Sequence, residues 1–170
     1  MPENNPSAIQ AEARALWYVS PGQAEIRNER VPELQPDQIR VHTLFSAISR
    51  GTESLVWAGR VPAAEYQRMR APFMGGEFPF PVKYGYSSVG QIQQGPAELL
   101  GKFVFSLSPH QTVLTLDASA AAVLPAGLPP ARAVLAANME TALNAVWDAA
   151  PGPADRIAIV GGGVVGQLVA

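Results

Sequence analysis

Cysteine is absent from this 170-residue sequence. That removes disulfides, a thiol nucleophile and every cysteine-ligated zinc site. Charge is sparse as well: Asp, Glu, Lys and Arg make up 15% of the residues, and the formal net charge is −2. A slightly acidic balance with no basic run leaves no electrostatic footprint for nucleic acid. Long apolar runs are missing too, since no window approaches the ~20 apolar residues that cross a bilayer. The opening Met1-Pro2-Glu3-Asn4-Asn5-Pro6 is polar and proline-broken, with no basic start and no apolar stretch behind it. These absences lead to the expectation of a cytoplasmic protein with neither nucleic acid nor membrane as partner.

What is plentiful is turn-forming residues: 15 glycines and 16 prolines in a chain that is 48% hydrophobic. Many turns imply short strands rather than a helical bundle. Residues 1–12 read as a disordered tail, polar and with nothing to bury. Ala15 to Val19 reads as a strand released by Pro21-Gly22, and Ala24–Arg27 and Gln38–Leu44 alternate apolar and polar residues with the period of half-buried strands. Thr52–Gly59 and Ala63–Arg70 read as short helices, with Pro62 well placed to start the second. Pro72–Pro81 must be a loop, though an apolar one carrying Phe73, Phe78 and Phe80. Tyr84–Gln93, Phe103–Leu107 and Thr112–Leu116 then resume short strands, so residues 13–125 predict a small barrel or sandwich.

Residues 126–153 have a different texture. The stretch from Ala131 to Ala149 is alanine-rich and predicts one helix, stopped by Pro151-Gly152-Pro153. Arg156-Ile157-Ala158-Ile159-Val160 is a continuous apolar run of the kind that forms a buried parallel strand. It leads into Gly161-Gly162-Gly163-Val164-Val165-Gly166, which fits G-x-G-x-x-G in the correct context between a strand and a helix-capable segment. Each glycine has its own reason. Gly161 permits a tight turn, Gly163 admits backbone to a pyrophosphate, and Gly166 lets the following helix pack closely. The competing account is a glycine-rich strand–helix turn with no ligand. A dinucleotide unit spans about 30 residues and has a ribose partner about 20 residues on. Only four residues follow Gly166, so 154–170 is expected to be an incomplete start of such a domain and the chain a fragment.

The segments Phe45-Ser46-Ala47-Ile48-Ser49-Arg50-Gly51-Thr52-Glu53, Gly85-Tyr86-Ser87-Ser88-Val89-Gly90 and Asn138-Met139-Glu140-Thr141-Ala142-Leu143, together with the glycine turn, resemble the medium-chain dehydrogenase/reductase superfamily. The likeness runs from about Ala13 to Ala170. It is greatest to a zinc-free branch similar to bacteriochlorophyllide a dehydrogenase-like proteins. The resemblance implies a mainly β fold with α: a GroES-like small barrel, a linking helix, then the first strand and turn of a truncated Rossmann domain. It also implies NAD or NADP as cofactor, a small-molecule substrate, and a homo-oligomeric full-length form.

The departures from zinc-dependent members set the expected chemistry. Where those carry a ligating cysteine, histidine and cysteine or glutamate, this sequence has Ser49, Tyr86 and Ala137. Zn²⁺ takes thiolate, imidazole or carboxylate, so no zinc and no metal site is expected. A carbonyl would then be polarised by hydrogen-bond donors. Tyr86 is a donor to the substrate oxygen or a wall residue that fills the space by packing. Ser49 or Thr52 relays a proton, or the Ser49 hydroxyl bonds local backbone. His110 is a proton donor at the cleft or a satisfied loop histidine, and His42 lies on a solvated strand face. An ion pair between Arg50 and Glu53 stiffens their loop.

Thr141 resembles the threonine beside the nicotinamide, and shares a helix face with Asn138 but not Glu140. Packing or capping by that face is the alternative. Residues 66–80, rich in aromatics and methionine, form a pocket wall or their own small cluster. The expected sites are thus Ser49, Thr52, Tyr86 and His110 for catalysis, and Thr141, Gly161, Gly163 and Gly166 for cofactor. The function expected is the N-terminal part of a zinc-independent NAD(P)-dependent oxidoreductase. It transfers a hydride between nicotinamide and a carbonyl, an alcohol or an activated double bond, and is inactive as the 170-residue piece. The rivals are a truncated non-catalytic chain or binding module using the barrel alone, and a metalloenzyme built on His42 and His110.

Overall fold

A computed structural model describes residues 12–170. The expected tail up to Ala11 lies outside the described residues, and strand pairing begins at Glu12. Nine strands form two antiparallel sheets among the described residues. β1 (Glu12–Ser20) pairs with β2 (Gln23–Arg30) across the Pro21-Gly22 turn, and the short β5 (Val82–Lys83) and β4 (Gly75–Gly76) extend that sheet in the order β2-β1-β5-β4. The second sheet runs β8 (Val113–Asp117), β3 (Gln38–Ser46), β6 (Ser88–Gln94), β7 (Phe103–Ser106), β9 (Ala122–Val123). Residues 110–112 sew the sheets together. Leu16 N–H donates to His110 C=O and Thr112 N–H to Arg14 C=O on one side, and Thr43 N–H donates to Thr112 C=O on the other, all at 2.9 Å. This closure gives the small barrel of the expected fold class.

Alternation along the strands explains the core. In β3, Ile39 and Val41 point inward while His42 faces solvent, as its place in the pattern predicts. Ile39, Val41, Ile92, Val104, Leu114 and Leu116 make one apolar cluster between strands of the second sheet. A second cluster joins Tyr18, Val56, Val61, Ala71, Val82 and Tyr84, with Tyr66, Met69, Met74, Phe78, Phe80 and Tyr86 packed against it. Burying each such aliphatic side chain contributes about 1.5–3 kcal/mol. The aromatic loop therefore folds onto its own cluster.

Four sequence expectations need correction. The Ala63–Arg70 helix is only a 3₁₀ turn at Ala63–Glu65 followed by loose turns. Tyr66 and Met69 are drawn into the core there, and the Tyr84 hydroxyl captures the Met69 carbonyl at 2.7 Å. The strand expected from Tyr84 starts later, at Ser88, because Gly85 takes a φ of +136°, outside the strand region. The helix expected over Ala131–Ala149 is broken into α2 (Pro130–Ala133) and α3 (Ala136–Ala149), separated where the Ser87 hydroxyl donates to the Val134 carbonyl. Finally, Arg156–Val160 is extended but pairs with no strand, and Ile157 and Val160 are 62% and 100% exposed. A parallel strand needs a neighbouring strand for its ladder, and among the described residues no strand pairs with this segment.

Two helices complete the scaffold. α1 (Thr52–Trp57) follows β3, and α4 (Val164–Val169) follows the glycine turn and packs on α3. No helix among the described residues is long and apolar enough to cross a membrane.

Candidate active site

One cleft of about 1100 Å³ brings together most of the residues singled out in the sequence. Its first wall is the end of β3 and the start of α1, with Ser49, Arg50 and Thr52. Tyr86 forms the second, Asn138 and Thr141 of α3 the third, and the Gly161–Gly166 turn closes it. Glu140 is exposed and does not line it, as helical spacing predicts.

The hydroxyls differ in their commitments. Those of Ser49, Thr52 and Tyr86 make no hydrogen bond to the described residues, whereas Thr141 Oγ1 donates back to Ala137 C=O at 3.2 Å within its own helix. Thr141 thus keeps only acceptor capacity toward the cleft. The Tyr86 ring stands edge-on to Tyr84, with centroids 6.3 Å apart and planes at 89°, so its apolar body is held by packing. Tyr84 is buried, and its phenol is pushed up to about 12 by burial first, then by the nearby Tyr86 and Glu53 charges.

The loop at Ser49 is organised by Glu53, not by the expected pair with Arg50. Glu53 Oε1 accepts the Ser49 N–H at 2.7 Å, and its Oε2 accepts the Tyr18 hydroxyl at 2.9 Å and meets His110 Nε2 at 2.8 Å. Glu53 points inward from α1, while Arg50 is exposed and forms no ion pair among the described residues. Burial and the Glu53 carboxylate hold the Tyr18 phenol protonated well above its ordinary range.

Of the two readings of His110, the satisfied histidine holds and the proton donor at the cleft does not, since both ring nitrogens have partners in Ser46 and Glu53. It does not line the cleft; only 8% exposed, it lines a separate groove of about 450 Å³ with Leu16, Ile26, Leu44 and Ile48. The reason is topological: residues 110–112 are the seam between the sheets, which turns the ring inward. Sequence reasoning missed Glu53, Tyr18 and Ser46 as its partners. No local pattern pointed to them, since Tyr18 is buried out of step with Ala13 and Ala15 along β1.

The glycine turn has the bare backbone a pyrophosphate needs. A Cβ on Gly162 or Gly163 would meet nothing within 4 Å, whereas one on Gly166 would lie 2.0 Å from the Gly161 carbonyl oxygen. Gly166 is therefore fixed by close approach, with Gly161 at φ +105° turning the chain back over it. Gln167 steadies the turn, its side-chain Nε2 donating to Gly162 C=O at 2.8 Å. These residues fit the diphosphate of a dinucleotide.

A zinc ion fits less well. Ser49, Tyr86 and Ala137 offer hydroxyls and a methyl, whereas Zn²⁺ takes thiolate, imidazole or carboxylate. Among the described residues no three His, Asp or Glu side chains come together. His42 faces solvent, and His110 and Glu53 already satisfy each other.

No family model matches the sequence, and no curated protein matches it. Solved structures do share its fold. One is a short chain alcohol dehydrogenase from E. coli CFT073 complexed with NADH, with a TM-score of 0.72 at 16% identity over 93% of this chain and 52% of that one. Another, from Sinorhizobium meliloti 1021, is a dehydrogenase bound to NADP whose name proposes zinc binding; its TM-score is 0.71 at 19% identity over 94% and 52% of the two chains. A third is the quinone oxidoreductase of Thermus thermophilus, solved also with NADPH, with a TM-score of 0.65 at 17% identity over 92% and 48%. The chain spans about half the length of each of these proteins. The fold is thus the GroES-like barrel with a following helical segment, as found in dehydrogenases and reductases.

Proposed function

We propose that this chain is the substrate domain and the opening of the cofactor domain of an NAD(P)-dependent oxidoreductase that works without zinc. The observation that carries this reading is the single cleft in which three uncommitted hydroxyls face a bare glycine turn. Gly161, Gly163 and Gly166 would hold the pyrophosphate, with the exposed Arg50 supplying positive charge from the opposite wall. In this reading Asn138 and Thr141, which line the same cleft, flank the nicotinamide. When bound, the nicotinamide supplies or takes up the hydride, and the protein orients, polarises and excludes water.

In this reading the Tyr86 hydroxyl donates to the substrate oxygen, held in place by its edge-on contact with Tyr84. Ser49 or Thr52 relays a proton between solvent and that hydroxyl, inward when the substrate oxygen takes one up and outward when it gives one off. The substrate is a small carbonyl or alcohol compound, or an activated double bond. Support for independence from zinc comes from the donor set, which replaces ligating groups by hydroxyls and a methyl. We further propose a cytoplasmic, homo-oligomeric full-length protein, and weak cofactor binding by the 170-residue chain alone.

The test is titration of the protein from its natural source with NADH and NADPH, followed by cofactor fluorescence, beside metal analysis of the same sample. Saturable binding without stoichiometric zinc is expected. Absence of binding to both nucleotides would overturn the reading in favour of a binding module, and stoichiometric zinc would overturn its mechanism.

A further inference from the structure

Three hydrogen-bond donors converge on one buried carboxylate. Glu53 is 1% exposed, and it receives the Ser49 N–H on Oε1 and both the Tyr18 hydroxyl and His110 Nε2 on Oε2. The other imidazole nitrogen, Nδ1, lies 3.0 Å from Ser46 Oγ. A carboxylate only accepts, so Nε2 donates, and the cluster is fully satisfied. Burying such a pair is a poor way to gain stability, because well-packed apolar residues do as well or better. Its contribution is to fix geometry.

The pair reaches both walls of the cleft. On one side it holds the backbone of Ser49 through Glu53 Oε1. On the other, the His110 ring lies against Gly85, the residue before Tyr86. A Cβ on Gly85 would sit 3.0 Å from His110 Nε2 and 3.1 Å from its Cδ2, and Gly85 has a φ of +136°. The turn that presents Tyr86 is thus moulded onto the imidazole, in a backbone conformation that glycine alone adopts readily. A backbone bond from Ala47 N–H to Ser87 C=O at 3.0 Å runs alongside. Neither Glu53 nor His110 lines the cleft itself.

We propose that Glu53 and His110 are positioning residues, one buried pair that sets the spacing of Ser49 and Tyr86 across the cleft. The functional meaning rests on the oxidoreductase reading above. The structural coupling does not, because it can be measured with no ligand present.

The experiment is heteronuclear NMR on the 18.0 kDa chain, reading the Ser49 amide proton and the Tyr86 ring signals. His110→Ala is expected to move both, the Ser49 proton shifting upfield as its bond to Glu53 loosens. His110→Gln, whose amide can still donate to Glu53 and accept from Ser46, is expected to return both toward the parent positions. Glu53→Gln, nearly the same shape, should move both, because one amide oxygen cannot serve three donors. Should His110→Ala fail to fold, the two glutamine variants carry the test. Movement of only one of the two signals, a Glu53→Gln spectrum unchanged at both, or no restoration by His110→Gln would each overturn the proposal. Failure here leaves the dinucleotide reading standing, and a failed nucleotide titration leaves this coupling standing.

Discussion

At the scale of single residues, Gly163 separates folding from binding. Its backbone is extended and a side chain there meets nothing within 4 Å, so Gly163→Val should leave stability within about 0.5 kcal/mol by chemical denaturation. In the protein from its natural source the same change should abolish nucleotide binding, because the added branches occupy the space a phosphate would take. Gly166→Ala should instead damage the turn itself, lowering stability and binding together. Tyr84 gives a prediction in pH. Its folded-state phenol is raised from 10.0 to about 12. The stability it contributes is therefore fully present below about pH 10 and is lost as pH climbs toward 12. Denaturation followed from pH 8 to 11.5 should show falling stability in the alkaline half. Tyr84→Phe should shrink that slope without removing it, since Tyr18 is shifted in the same direction. A parent profile flat across this range would contradict the assignment.

Among the elements, strands and breaks were legible to different degrees. β3 was readable because a half-buried strand writes its alternation directly into sequence, as Ile39, Val41 and His42 do, whereas β2 forms where expected although its alternating Ala24 and Ile26 are exposed rather than half-buried. Helix composition misled at Ala131–Ala149, where alanine propensity runs unbroken but the Ser87 hydroxyl, 47 positions earlier, takes a carbonyl at the break. No local rule contains that partner. The same holds at Met69, whose carbonyl belongs to Tyr84. Arg156–Val160 has the composition of a buried strand without a neighbour to make it one, which gives a sharp contrast. Ile92→Ala, from a fully buried site in the second sheet, should cost about 2–5 kcal/mol. Ile157→Ala, from a side chain 62% exposed, should change stability within about 0.5 kcal/mol. Limited trypsin digestion of the 170-residue chain should cut first after Arg156, in the unpaired extended segment. Early cleavage within the barrel instead would contradict this ranking.

For the molecule as a whole, the barrel and the glycine turn were both visible in sequence, and so was the membership of the cleft. Ser49, Thr52, Tyr86, Thr141 and the glycines come together because segments far apart in the chain each carry a recognisable local pattern. His110 could not be resolved between its two readings, and Glu53 was given the wrong partner, for the opposite reason. Their roles are set by the seam at residues 110–112 that closes the two sheets, a relation with no periodic signature. The central claim is that the cleft takes a nicotinamide dinucleotide on the bare turn. The most direct test is titration of the protein as it occurs in its natural source, and of its Gly163→Val variant, with NADH and NADPH under identical conditions. Saturable binding of at least one nucleotide by the parent and none by the variant, with unchanged unfolding, is the expected result. Equal binding by both proteins, or none by either, would contradict it.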